Sequence, residues 1–389
     1  MRTYDVAVVG LGAMGSAALY AAASRGLNVI GCEQFEPAHP RSSSFGESRV
    51  IRLAYFEHPS YVPLLRGAYR AWRNLEAVTG EDVLTVTGIV EAGYPGATLM
   101  EGSLRSAREH DLPHERMTPQ QVNDRFPAFN LPADWECLFQ PDGGVLFPEK
   151  AIAVFVAAAR GVGADVRLNT LVREVQPVGE HVRIVFGDGA MVHAGSAIVA
   201  TGPWIRDLLP DLGERLTLTR QPLLWFNPID AASVRPDRMP VFFLQSRDGL
   251  TYGVPDMLGT GVKAASHLSG GELQSADDPR ADVSDAEKAS LRAILQRYVP
   301  AAAGEIRRTS LCVYTRSPDD HFIVGPHPQA PQIILASPCS GHGFKFASII
   351  GEILVDLAAD RHTEWPIGLF KPERILGGSD ADVRVSFEG

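Results

Sequence analysis

Two pairs of polar side chains stand at spacings that suit anion binding. Arg49 and Arg52, three positions apart in GESRVIR, could hold the oxygens of a phosphate or a carboxylate. Lys263 and His267, in GVKAASH, would share one face of a strand, so that a cation and a titratable imidazole flank a small residue. A solvated basic turn and an exposed strand face are the alternatives for these two stretches.

Two further stretches place reactive side chains beside unusual backbone. SGHGFKF opens an apolar helix with a glycine turn, which is a ready anion site, and Lys345 adds a full charge although it opposes the helix dipole. Cys312 lies between apolar residues of a predicted strand, with Tyr314 two positions later and a charged turn beyond. A glycine-rich packing turn and a small buried thiol are the alternatives here.

The N-terminal segment is the element expected to position a cofactor. An apolar strand, residues 5–9, runs into GLGAMG, a helix follows, and a second strand ends at Glu33. Gly10 permits the tight turn, Gly12 lets the backbone approach a pyrophosphate, and Gly15 lets helix and strand pack closely. Glu33 would accept hydrogen bonds from a ribose diol. This order predicts a dinucleotide-binding Rossmann unit.

The later segments predict a second kind of sheet. Residues 166–202 are typical of strands with a tight turn, followed by an apolar strand that ends in Ala-Thr-Gly. Residues 223–267 are aromatic and interrupted by Pro and Gly, which favours an antiparallel meander in a second domain. An acidic turn leads into an amphipathic helix within residues 276–300. The predicted fold class is α/β plus α+β.

Composition restricts the class of protein. A chain of 389 residues with 45% hydrophobic and 21% charged residues suits a globular enzyme of two domains. The formal net charge of -10 argues against nucleic acid or an anionic membrane surface as a partner. The N-terminus lacks the features of a signal peptide, and no apolar run has the length of a membrane span, so the sequence predicts a cytoplasmic protein.

The cysteines are scattered and form no CxxC pair. They are Cys32, Cys137, Cys312 and Cys339. Neither a metal site nor a disulfide framework is expected from this spacing.

The combined motifs resemble one enzyme family. GLGAMG with Glu33, GESRVIR, CVYT followed by SPDDHF, and SGHGFKFAS are similar to the monomeric sarcosine oxidase and N-methyltryptophan oxidase family, up to about residue 370. The resemblance implies a monomer in which a FAD-binding domain of the glutathione-reductase type is interleaved with an antiparallel catalytic domain. The expected FAD-binding segments are residues 1–85, 146–215 and 308–389, and the expected catalytic segments are 86–145 and 216–307.

The resemblance also implies roles for individual residues. FAD would be bonded through its 8α-methyl group to the sulfur of Cys312. The implied catalytic residues are Lys263, which promotes the reaction with oxygen, His267 beside the substrate amine, Arg49 beside the flavin, and Tyr314 in the pocket wall. The implied substrate-binding residues are Arg52, Lys345, Tyr252 and Glu57. The implied cofactor-binding residues are Gly10, Gly12, Gly15, Glu33, Ser42, Ser43, Arg49, Val172, Cys312, Gly341, Gly343, Phe344 and Lys345.

The implied reaction is oxidation of a secondary amino acid such as sarcosine. The substrate would bind through its carboxylate, transfer hydride equivalents to flavin and leave as an imine that hydrolyses. An N-methyl substrate would give formaldehyde, the primary amino acid and hydrogen peroxide. Oxidation of a cyclic imino acid, an FAD dehydrogenase with another electron acceptor, a nicotinamide-dependent dehydrogenase and a non-catalytic flavin module are the alternatives.

Several residues depart from the family pattern. Ser44 and Phe45 stand where the family usually has two histidines before the glycine of the arginine loop. Ser48 stands where threonine is common, and Leu53 follows the carboxylate-binding arginine. Phe243 stands where sarcosine-specific members carry methionine. These substitutions leave the preferred substrate open.

Overall fold

The computed structural model describes residues 3–267, 270–278, 281–337 and 340–377. Cys339 and the last twelve residues of the predicted FAD-binding segment lie outside these ranges. The predicted α/β plus α+β fold class is confirmed.

The described residues form strands, α-helices and short 3-10 helices. The strands are β1 (Thr3–Val9), β2 (Val29–Cys32), β3 (Arg49–Ile51), β4 (Leu84–Val86), β5 (Ile89–Gly93), β6 (Glu115–Met117), β7 (Glu136–Gln140), β8 (Gly144–Leu146), β9 (Asp165–Arg167), β10 (Val172–Val178), β11 (His181–Phe186), β12 (Met191–Val199), β13 (Thr217–Phe226), β14 (Val241–Ser246), β15 (Gly249–Val254), β16 (Val262–Ser266), β17 (Glu272–Leu273), β18 (Ile306–Arg316), β19 (Ile323–His327) and β20 (Ala330–Ser337). The helices are α1 (Ala13–Ser24), α2 (Val62–Thr79), α3 (Thr98–Glu109), α4 (Pro119–Arg125), α5 (Pro148–Gly161), α6 (Ile205–Leu208), α7 (Pro210–Gly213), α8 (Asp285–Tyr298), α9 (Ala347–Ala359) and α10 (Glu373–Leu376). The 3-10 helices are Pro59–Tyr61, Gly202–Trp204, Pro300–Ala302, Phe344–Phe346 and Gly368–Phe370.

The first sheet contains the predicted Rossmann unit. Its strand order is β10-β11-β12-β1-β2-β9, with β20 beside β12 and β19 beside β20. β1 runs parallel to both β12 and β2, and Val9 is in register with Val199 on one side and Cys32 on the other. The carboxyl ends of these strands therefore meet at one edge, where ligands of open α/β sheets bind.

The second sheet is the predicted meander, enlarged by distant strands. Its order is β17-β13-β16-β15-β14-β5-β7-β6, with β18 on β13, and the β14–β5 pair is parallel. β18, which carries Cys312, thus pairs along its length with β13. A small third sheet, β3-β8-β4, begins at Arg49. The two arginines of GESRVIR consequently lie in and just beyond one short strand.

Helices cover the first sheet and form the largest core. α1 packs against α5 and α9. The approach of α1 to α9 is close enough that a Cβ on Gly351 would lie 2.6 Å from the backbone carbon of Ala17. Trp72 on α2 is fully buried in the same core. Burial of a large apolar side chain contributes about 1.5–3 kcal/mol, so this core holds the cofactor-binding edge rigid.

Candidate active site

Most of the predicted site residues line one cavity of about 420 Å³. It extends from the carboxyl edge of the first sheet to side chains of the second sheet, such as Phe243 on β14 and Tyr252 on β15. Predicted residues that line it are Gly10, Gly12, Glu33, Ser42, Ser43, Arg49, Arg52, Glu57, Val172, Tyr252, His267, Cys312, Tyr314, Gly341, Gly343, Phe344 and Lys345. Gly15 and Lys263 are the predicted site residues that do not belong to its lining.

The glycine loop fits a pyrophosphate. Gly10 has φ +86°, and a Cβ there would lie 2.7 Å from the carbonyl oxygen of Ala200. A Cβ on Gly15 would lie 1.8 Å from the carbonyl oxygen of Gly10, so Gly15 is required by packing behind the loop. A Cβ on Gly12 would meet no described atom within 4 Å. The backbone of Gly12 therefore faces open space at the start of α1, which has no side-chain cap and no acid in its first turn.

Glu33 closes this end of the cavity. Its carboxylate accepts hydrogen bonds from the backbone N–H of Leu11 at 2.8 Å and of Phe35 at 3.0 Å. Burial raises the pKa of Glu33, and these N–H donors oppose that rise. Glu33 thus ties the glycine loop to the end of β2 and presents a carboxylate to the cavity, as a ribose-binding acid would require.

Arg49 connects the arginine loop to Cys312. Its Nη2 donates to the carbonyl oxygens of Ser43 at 2.9 Å and Phe45 at 2.8 Å, and lies 3.7 Å from the Cys312 sulfur. Burial alone would lower the pKa of Arg49, but nearby acidic groups, Cys312 first among them, raise it. The Cys312 Sγ also lies 3.1 Å from the Ser43 carbonyl oxygen. The thiol therefore sits beside a fixed cation at the cavity wall.

Lys263 lies behind the same loop. Its Nζ donates to the carbonyl oxygens of Gly46 and Ser48, both at 2.7 Å. Burial, assisted by the Arg49 charge, holds the pKa of Lys263 well below its ordinary value. Lys263 and His267, which were predicted to share one face of a strand, thus have different roles: Lys263 anchors the loop, whereas His267 lines the cavity.

Arg52 is held by charges on two sides and by aromatic rings. Its Nη2 donates to Oε2 of Glu57 at 2.8 Å, and its Nε lies 3.2 Å from Oε1 of Glu91. The guanidinium carbon lies 4.9 Å from the ring centroid of Phe56 and 4.6 Å from that of Phe243. Burial opposes the charge, but Glu57 and Glu91 raise the pKa of Arg52. A fully ionised guanidinium at the cavity wall can bind a carboxylate.

Lys345 lies in a polar network next to Arg52. Its Nζ donates to the His342 carbonyl oxygen at 2.7 Å and to the Tyr55 hydroxyl at 3.3 Å, and that hydroxyl lies 2.6 Å from His342 Nδ1. Burial lowers the pKa of Lys345 to about 7 and that of His342 to about 4. Lys345 belongs to the 3-10 helix that precedes α9, whereas the sequence analysis placed it at the opening of the apolar helix itself.

His267 and the aromatic wall complete the site. Burial lowers the pKa of His267 to about 4, against the pull of Glu57, so the imidazole is neutral near pH 7. The rings of Phe243 and Tyr252 stack at 5.7 Å, and Phe56 and Phe243 lie 6.3 Å apart. A neutral imidazole and aromatic rings in the lining of one cavity suit an organic substrate.

Sequence reasoning missed three residues of this site. Glu91, Tyr55 and His342 were given no role, although each contacts a predicted substrate-binding cation. The available signal for Glu91 was an acid in the apolar stretch TGIVEAG, where every residue of β5 is buried. Tyr55 offered no comparable signal.

Among the described residues, no helix has the length and apolarity that a membrane crossing requires. In the same part of the chain, no group of three or more His, Cys, Asp or Glu side chains is arranged to hold a metal ion.

The family model described as FAD dependent oxidoreductase matches residues 5–357. This chain belongs to that family. Monomeric sarcosine oxidase from Streptomyces avermitilis is 36% identical over 377 residues, which cover 96% of this chain and 98% of the relative. Monomeric sarcosine oxidase from a Bacillus species is 33% identical, covering 95% and 97%. N-methyl-L-tryptophan oxidase from Yersinia pestis is 32% identical, covering 95% and 99%.

Solved structures agree with this family in fold. The open form of NikD, described as an unusual amino acid oxidase essential for nikkomycin biosynthesis, superimposes with a TM-score of 0.84 at 23% identity, covering 96% of this chain and 98% of NikD. L-proline dehydrogenase from P. horikoshii gives 0.83 at 19% identity, with the same coverage. The family resemblance drawn from the motifs, the enzyme class and the use of FAD are thereby confirmed. The roles of individual residues and the domain segments stay predictions.

Proposed function

We propose that this enzyme oxidises the N-methyl group of a secondary amino acid such as sarcosine, with oxygen as electron acceptor. The observation that carries the proposal is a single cavity. The glycine loop lines one end of it, and Arg52 and Lys345 line the other. Cys312, which belongs to β18 of the second sheet, lines it between these ends. The kinship with sarcosine and N-methyltryptophan oxidases at 32–36% identity supports the same reaction class. The balanced reaction joins substrate, oxygen and water, and yields the primary amino acid, formaldehyde and hydrogen peroxide.

The cavity residues suit a covalently held FAD. Gly12 and the uncapped start of α1 would receive the pyrophosphate, and Glu33 would receive the ribose. Cys312 would carry the 8α-methyl bond, which its position in the cavity lining beside Arg49 supports. Bound FAD would supply the acceptor for the hydride equivalents of the substrate.

The protein's own groups would bind and orient the substrate. Arg52 and Lys345 would hold the substrate carboxylate, while Glu57 and Tyr252 would border it. His267, which is neutral near pH 7, can accept a hydrogen bond from the substrate amine. Tyr314 would close the pocket wall. Lys263 would promote the reaction with oxygen from its position on β16, behind the Gly46–Ser48 loop.

The remaining features of the proposal concern the whole chain. The protein would act as a cytoplasmic monomer, with FAD-binding segments 1–85, 146–215 and 308–389 and catalytic segments 86–145 and 216–307. A cyclic imino acid is the second candidate substrate, since the aromatic rings of Phe243 and Tyr252 give the cavity an apolar wall against which saturated ring carbons can pack.

The testing experiment combines acid precipitation with a substrate screen. Purified protein is precipitated with acid, and absorbance and intact mass report whether flavin of FAD size stays on the polypeptide. The holoenzyme is then offered N-methyl and cyclic amino acids while peroxide and formaldehyde are measured. Peroxide equal to substrate consumed, with formaldehyde, supports the proposal. Peroxide without formaldehyde favours the cyclic substrate, and turnover that needs an artificial acceptor contradicts the oxidase assignment.

A further inference from the structure

Arg52 has a second carboxylate partner outside the cavity lining. Glu91 lies on β5 with its side chain fully buried, and its Oε1 lies 3.2 Å from Arg52 Nε. Its other oxygen accepts a hydrogen bond from Gln140 Nε2 at 2.9 Å, and Gln140 Oε1 in turn accepts from the Ala54 N–H at 2.8 Å. Glu91 is therefore fixed to the segment that follows Arg52 while it faces the guanidinium from behind.

The local charge around Arg52 is unusual for an anion-binding group. One guanidinium faces two carboxylates, those of Glu57 and Glu91. When both acids are ionised, the three groups together carry a net negative charge, which opposes a substrate carboxylate. The aromatic rings of Phe56 and Phe243 keep water from Arg52, so these charges are weakly screened.

Glu91 changes its charge near neutral pH. Burial raises its pKa to about 7; Arg52, the Ser103 hydroxyl and the Gln140 amide lower it, and Glu57 raises it. Neither Glu91 Oε1 nor Arg52 Nε has a hydrogen-bond partner among the described residues, so their attraction is electrostatic and that oxygen can take up a proton.

We propose that Glu91 is a positioning residue that holds Arg52 from behind, and that its protonation sets how strongly the cavity binds a carboxylate. The inference rests on the proposed function in one respect, namely that Arg52 receives the substrate carboxylate. Neutral Glu91 leaves Arg52 paired only with Glu57 and strengthens carboxylate binding. Ionised Glu91 weakens it.

The test measures binding of benzoate, a carboxylate that the reaction cannot consume. Flavin absorbance of the holoenzyme follows benzoate titrations between about pH 6 and pH 9. Wild-type affinity should fall about tenfold across this range. Glu91→Gln should bind more tightly than wild type at high pH and show a smaller fall in affinity across the range, and Glu91→Asp, which keeps an ionisable group, should recover the larger fall. Benzamide should bind both proteins without this dependence.

Lys345 titrates in the same range and must be separated. Its pKa of about 7 gives a change of the same sign, since it loses positive charge as pH rises. Lys345→Met should keep the part of the pH dependence that belongs to Glu91, and the double variant with Glu91→Gln should bind with nearly constant affinity. Glu109→Gln, a change of an exposed glutamate on α3, is the matched control and should behave as wild type.

The outcomes separate the two proposals. Unchanged benzoate affinity in Arg52→Met, or no carboxylate binding by wild type, would contradict the proposed function and this inference with it. Arg52-dependent binding whose affinity and pH dependence are the same in Glu91→Gln and wild type would overturn the role of Glu91 alone. Weaker benzoate binding by Glu91→Gln at every pH would also overturn it, because the residue would then serve only to maintain structure.

Discussion

The two ends of the cavity are built on different physical principles. The dinucleotide end uses backbone: the glycine loop, the start of α1 and one acid, all within the first 33 residues. The carboxylate end uses buried side-chain charges brought from distant segments, with Arg52 after β3, Glu91 on β5 and Lys345 before α9. A backbone site is disrupted by added side-chain atoms where the loop is closely packed, as at Gly10 and Gly15, but its N–H donors do not titrate. A site of buried charges depends on protonation, because desolvation moves pKa values toward neutrality.

The largest effects are expected at the glycine loop. Gly15→Ala puts a methyl 1.8 Å from the Gly10 carbonyl oxygen, and overpacking of this kind costs about 1–3 kcal/mol or more. We expect poor folding, seen as a lower Tm, together with loss of flavin. Gly12→Ala is the sharper variant because its methyl meets no described atom within 4 Å. Gly12→Ala should have the same Tm as flavin-free wild-type protein and still lose FAD. Retention of FAD would contradict the pyrophosphate assignment.

A change of Cys312 tests the proposed covalent bond to FAD, which would lie between the two ends of the cavity. Cys312→Ala should release all flavin in acid, because the variant lacks the sulfur atom that would carry the proposed bond. Intact mass of acid-precipitated protein measures the adduct. Cys137→Ala removes another buried thiol, on β7, and should keep the adduct. An adduct that survives Cys312→Ala would refute the proposed linkage.

A change of Arg52 tests the carboxylate end of the cavity, which is built from buried charged side chains. Arg52→Met leaves Glu91 buried without its cation, and breaking such a pair costs about 3–5 kcal/mol. We expect a loss of stability near pH 8 that becomes smaller near pH 6, since Glu91, with its pKa raised to about 7 in the native protein, takes up a proton there. Thermal unfolding at both pH values measures this, and adding Glu91→Gln should restore stability at pH 8. Equal losses at both pH values would count against a buried ionised Glu91.

Lys263 tests whether a cation behind the arginine loop serves the cofactor. Lys263→Met should slow reoxidation by oxygen at least about tenfold while substrate reduction changes little, because the proposed role of Lys263 is to stabilise negative charge that forms on oxygen, whereas other residues would bind the substrate. Stopped-flow absorbance separates the two half-reactions. Equal losses in both would assign Lys263 to loop structure through Gly46 and Ser48 alone.

The smallest effect is expected at His267. Its pKa of about 4 means that the imidazole gains a proton only in acid, so it contributes no titration between about pH 5 and pH 8. His267→Gln should lower kcat/KM by about tenfold or less and keep the wild-type pH profile in that range. Loss of a pH-dependent limb in this variant would show that His267 titrates during turnover.

Much of the fold was predictable because its signals are local. The strand–GLGAMG–helix–strand order specified the Rossmann unit, with β1 beginning two residues earlier than expected. The aromatic meander was also predicted. Its sheet includes β5, β6 and β7 as well; no local pattern records that pairing, and only the family resemblance put residues 86–145 and 216–307 in one domain.

The sequence predicted which residues belong to the site better than it predicted which of them contact each other. Resemblance supplied the residues that line the cavity, whereas the pairing of Arg52 with Glu91 and of Lys345 with Tyr55 was invisible. Lys263 was predicted correctly as part of a strand, yet its separation from the cavity by the Gly46–Ser48 loop required the packing of two sheets.

By itself, the sequence determined the glycine loop and the start of α1, since turn geometry acts between neighbouring residues. Tertiary structure alone decided the charge balance around Arg52. A carboxylate on an apolar strand has no predictable role until folding removes water from it and brings a cation to 3.2 Å. Desolvation and Coulomb attraction depend on distances between segments far apart in the chain, and those distances exist only in the folded protein.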